Sequence, residues 1–226
     1  MNTLPPISTF SGIEISRRTG SGRAAGVSII VLAVSLRGFN VPGNRQGYEP
    51  EQPIAYSHRL HAGDLRIPCL YCHYGAEKSR NAGIPATSVC MNCHAAIWAS
   101  PAVMQAAAQL AASEKRPQQV AASPELRKLY DAIGLDEELN PSRVPQPIQW
   151  LRIHRVPDFV SFDHRAHVNK GVRCQTCHGP IETMQRVRQF KDLSMGWCVD
   201  CHRQANRSGI QGRRVHATLD CTGCHF

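Results

Sequence analysis

Ten cysteines could do chemistry in this chain, and their spacing is uniform: Cys69 and Cys72, Cys90 and Cys93, Cys174 and Cys177, Cys198 and Cys201, Cys221 and Cys224. Each pair is a Cys-x-x-Cys, and each is followed at once by a histidine, namely His73, His94, His178, His202 and His225. Histidines number 11 in 226 residues, so composition alone would put one after all five pairs about three times in ten million. A disulfide framework requires neither the fixed gap nor the trailing histidine. Zinc ribbons also use Cys-x-x-Cys, drawing four ligands from two pairs. They have no use for a histidine beside every pair, and five pairs do not divide into two-pair sites.

The chemistry that requires this pattern is covalent haem attachment. Two thioether bonds fix one porphyrin edge to the two sulfurs, and the next residue lies under the iron, where its imidazole becomes the proximal ligand. Five such motifs imply five haems c, with roughly 45 residues of chain for each, well below an ordinary domain's share. The haems must then form much of the core. The expected fold is mainly α with much irregular structure, its helices short and packed on haem. The formal charge of +9 fits this reading, because ten ionised propionates would bring it to about −1, with arginines as their partners. No basic-aromatic motif supports a nucleic-acid role.

Six histidines stand outside the motifs: His58, His61, His154, His164, His167 and His216. A second histidine closes an iron as a low-spin centre suited to electron transfer, and methionine in that place raises the potential. His58-x-x-His61 and His164-x-x-His167 put two imidazoles on one side of a helical turn, where each can serve a different haem and clamp a pair together. These four are assigned as distal ligands. His154 is the first choice for the fifth iron, with Met195, Met184 and His216 as alternatives. Trp98, Trp150 and Trp197 are expected to pack on haem.

Positioning these groups calls for a repeat. Tyr56-Ser57-His58 opens a unit over about 52–94, and Phe162-Asp163-His164 opens its counterpart within about 152–202, each with two haem motifs. The fifth motif, 221–225, follows. Between the units lies a haem-free insert, about 95–149. Its alanine-rich start predicts a helix over Ala95–Ser113. Ser123-Pro124-Glu125 predicts a second helix ending near Gly134, and the proline-rich run 137–149 should be extended. The insert reads as a linker packing the units together, or as a partner-docking surface.

Haem c is attached outside the bacterial cytoplasm, so the chain must be exported. Ala24–Leu36 is apolar and preceded by Arg17, Arg18 and Arg23, the layout of an export signal. No clear Ala-x-Ala cleavage site follows. The segment is therefore read as an uncleaved membrane-anchor helix over 24–40, with 1–23 cytoplasmic and 48–226 a pentahaem domain on the periplasmic side.

The runs QPIAYSHRLHAG (52–63), NAGIP (81–85), RIHRVPDFVSFDHRAHV (152–168), CQTCHGPIE (174–182) and MGWCVDCHR (195–203) resemble the pentahaem cytochrome c subunit, ActA, of bacterial alternative complex III. The resemblance covers about 48–226 and includes the positions of His58, His61, His154, His164, His167 and Met195. It implies an electron-transfer subunit of a quinol-oxidising membrane complex. The implied neighbours are an iron–sulfur subunit, quinone-binding integral membrane subunits and membrane lipid. A monohaem cytochrome c, a soluble carrier or a terminal oxidase would be the acceptor. Two other classes compete: a membrane-tethered periplasmic electron shuttle, and a multihaem reductase. The reductase needs an open iron, often marked by lysine in the proximal place. All five motifs here end in histidine, so the chain is expected not to be an enzyme by itself.

Overall fold

Short helices joined by long irregular runs carry every motif. The computed structural model describes residues 44–226, and the 24–40 anchor segment lies outside the described residues. Seven α-helices are described: α1 (Cys69–Cys72), α2 (Thr87–His94), α3 (Pro101–Ser113), α4 (Pro124–Ala132), α5 (His164–Val168), α6 (Cys174–His178) and α7 (Met195–Ser208). A π-turn (Arg59–Asp64) and 3-10 turns at Tyr74–Glu77, Ile181–Thr183 and Cys221–Gly223 complete the helical set. Extended pairing among the described residues is confined to isolated bridges, Leu135 with Pro141, Val160 with His225 and Ile210 with Arg213. No described helix is long and apolar enough to cross a membrane.

The insert departs from its expected form at one end. The helix anticipated over Ala95–Ser113 starts only at Pro101. Proline disfavours the helical conformation in the residue before it, and Ser100 is accordingly extended, with ψ 153°. Its hydroxyl caps the new helix by accepting from the Val103 N–H. Trp98 and Ala99, freed from helix, pack on Tyr130 in a buried cluster flanked by Met91, Met104 and Leu126. The second helix starts on Pro124 behind Ser123, as its cap signal predicts, and the chain turns at Gly134 with φ +80°. A side chain there would strike the Arg143 carbonyl, so glycine is required for both its backbone and its lack of bulk.

Tyr130 ties this cluster to the second haem motif. Its ring is fully buried, and its hydroxyl donates to the His94 carbonyl at 2.7 Å. Tyr130→Phe keeps the packing but leaves that carbonyl without its partner. The expected loss is about 1–2 kcal/mol, read as a lower thermal midpoint of the haem-loaded protein with its haem count unchanged.

Candidate haem centres

The local geometry of the two histidine pairs repeats closely. Tyr56 meets His58 edge-on at 4.9 Å and stacks on His61 at 4.4 Å. Phe162 meets His164 edge-on at 4.9 Å and lies over His167 at 4.6 Å. The His61 Nδ1–H donates to the Ser57 carbonyl at 2.9 Å, and that of His167 to the Asp163 carbonyl at 2.8 Å. The repeat is carried on different turns. Asp163 caps α5 by accepting from the Arg165 N–H, whereas His61 sits in the π-turn.

Each of these four histidines faces a motif histidine. Ring centres are 6.4 Å apart for His58 and His73, 6.2 Å for His61 and His94, 6.4 Å for His164 and His178, and 6.0 Å for His167 and His202. An iron held at about 2 Å by one nitrogen of each ring, with about 1.2 Å from each nitrogen to its ring centre, would separate the two ring centres by roughly 6.4 Å. The four separations fit an iron between each pair. Within each unit, the first outer histidine faces the first motif and the second faces the second.

Tautomers fit as well. The Nδ1 atoms of His73, His94, His164 and His202 lie 2.7, 2.7, 3.0 and 2.6 Å from the carbonyls of Gly83, Ile97, Arg80 and Thr218. A carbonyl only accepts, so Nδ1 carries the proton and Nε2 keeps a lone pair for metal. Burial, then His73 and His61, lowers His58 to about 4. Burial, then His154 and His164, lowers His178 to about 3. Both imidazoles are thus neutral at neutral pH, the form that binds iron. Five of the thiols are pushed up: burial, then Cys201 and Cys198, raises Cys177 to about 11, and burial raises Cys72, Cys90, Cys174 and Cys198. Among the described residues, no group of three or more His, Cys, Asp or Glu side chains converges as a bare metal ion would require.

The candidates for the fifth iron are scattered. His154 is not across from a fifth motif histidine but beside His178, its Nε2 3.2 Å from the His178 Nδ1. His225 has the Phe159 ring over it, 5.7 Å away and tilted by 25°. Met195 opens α7 and is 69% exposed. Met184 is buried, and its carbonyl accepts from the Arg59 N–H. His216 is exposed. Of the tryptophans, Trp98 belongs to the side-chain cluster of the insert.

The five Cys-x-x-Cys-His motifs and the facing histidines have the form of c-type haem attachment and ligation, and comparison with known proteins gives the same resemblance. Residues 160–226 match the family of cytochrome c7 and related cytochrome c, a stretch that holds the last three motifs. Over 94% of its length the chain is 24% identical to the multiheme cytochrome c subunit of menaquinone reductase from Nitratidesulfovibrio vulgaris (strain Hildenborough), covering 94% of that protein.

Proposed function

We propose that the chain carries five haems c and relays electrons, without catalysing a reaction itself, as a subunit of a membrane quinol-oxidising complex of the alternative complex III kind. The four facing histidine pairs, all spaced to hold an iron, carry this reading. The haems supply one-electron redox chemistry when bound. The ten cysteines would attach them, with His58, His61, His164 and His167 as sixth ligands, the last three oriented by their Nδ1 bonds to backbone carbonyls. Segment 24–40 anchors the chain on the periplasmic side of the membrane. The relative is named for menaquinone reduction, which favours a second reading: the same relay working toward quinone. Haem potentials relative to that of the quinone decide the direction.

Mild-detergent purification of the native chain, with mass spectrometry of all that accompanies it, tests the assembly. Co-purification of an iron–sulfur protein with multi-span quinone-binding subunits is the expected result. A chain isolated alone would leave a tethered shuttle.

His154 we assign as the acceptor for the His178 Nδ1–H. Such a bond makes the imidazole a stronger donor to iron and favours the ferric state. His154→Leu should raise the potential of one haem in a spectropotentiometric titration while every low-spin centre persists. The appearance of a high-spin iron would instead make His154 a ligand.

A further inference from the structure

Two haem motifs from different units meet through reciprocal contacts. The π-turn that carries His61 packs on Ile181–Thr183, just after the third motif, with the Arg59 N–H donating to the Met184 carbonyl at 2.9 Å. Conversely, α5 packs on Tyr74–Glu77, just after the first motif. There the His164 N–H donates to the Arg80 carbonyl at 3.1 Å, and the Asn169 amide donates to the Glu77 carbonyl at 3.2 Å. Each His-x-x-His segment therefore sits on the loop following the other unit's first motif.

The remaining neighbours are equally specific. First and second motifs share the π-turn and the residue that precedes it, through His61 and His58, and the Asn92 amide donates to the Tyr71 hydroxyl at 3.0 Å. Third and fourth motifs share α5, through His164 and His167. The fourth meets the approach to the fifth where the His202 Nδ1–H donates to the Thr218 carbonyl at 2.6 Å and Asn206 bonds both ways with Ala217. Next to the fifth motif, Phe159 and Val160 of the second unit meet His225.

We infer that the five attachment segments lie in single file in the order 90–94, 69–73, 174–178, 198–202, 221–225, so that spatial order reverses chain order only at the first pair. An independent observation marks the ends: of the ten cysteines, only Cys93 and Cys221 are exposed, and they belong to the two terminal segments. One redox partner therefore meets the chain at 90–94 and the other at 221–225, with electrons crossing between the units at the junction of the first and third motifs.

The inference rests on the five-haem reading, and its test separates the two. Whole-protein mass of the wild-type chain counts the haems; fewer than five would sink that reading whatever the order. For the order, a photoreductant is attached to a cysteine introduced at exposed Ala96 (Ala96→Cys), beside the 90–94 end. Rapidly reduced haems are then counted in variants that each lack one cysteine pair. Without 69–73, one haem should fill rapidly; without 174–178, two; without 198–202, three. If every remaining haem still fills rapidly without 69–73, the order is overturned. Should a variant lose other haems, iron positions in a cryo-electron map of the wild-type chain decide instead. The iron at His178 must then have the iron at His73, not that at His94, as its nearest neighbour from the first unit.

Discussion

Replacing His178 with glycine should convert one low-spin centre to high spin while its haem stays attached through Cys174 and Cys177. His178 is the most heavily engaged of the motif histidines. It faces His164 across 6.4 Å, its Nδ1 meets His154, and burial with these neighbours keeps it neutral. Glycine removes the imidazole and opens a cavity, a change that costs about 2–4 kcal/mol in tightly packed sites. Absorption and electron paramagnetic resonance spectra read the spin state. Added imidazole can enter the cavity and should restore the low-spin signal, which separates a lost ligand from a disturbed fold. A low-spin count that is unchanged by the substitution would remove His178 from the iron.

Gly63→Ala should loosen the junction between the units. A methyl group at Gly63 would run into the backbone carbonyl of Glu182, which cannot swing aside as the end of a side chain could. The π-turn and Ile181–Thr183 would have to separate, at about 1–3 kcal/mol by analogy with overpacked cores. The expected result is a lower thermal midpoint with an unchanged haem count. Electron transfer between the two halves should also slow, since the first and third motifs meet here. A variant as stable as the wild type would show that the contact gives way without cost. The surface ion pairs, by contrast, such as Arg155 with Asp158 and Arg203 with Asp200, are solvent-exposed and contribute little.

Much of the site is legible in residue order because its chemistry is local. Two thioether bonds and a proximal imidazole must come from five consecutive residues, so the motif is complete wherever it occurs. The His-x-x-His segments were legible for a related reason: one turn of chain places both rings. The cap signals at Ser123 and Pro124 are local too, and the helix forms where they predict. The late start of α3 was also written locally, in Ser100-Pro101, but alanine content outweighed it in the expectation.

What only the tertiary structure decided is everything that depends on contacts between distant residues. Periodicity shows that His58 and His61 share a side; it does not show that His58 faces His73 and His61 faces His94. Residue order names His154 as the first choice for the fifth iron; it does not show that His154 lies against His178, which is 24 residues away. The meeting of the first motif with the third, and hence the file of segments, depends on backbone donors and carbonyls such as Arg59 to Met184 and His164 to Arg80. Any residue but proline can donate such a bond and any can accept one, so side-chain identity leaves almost no trace of them in the sequence.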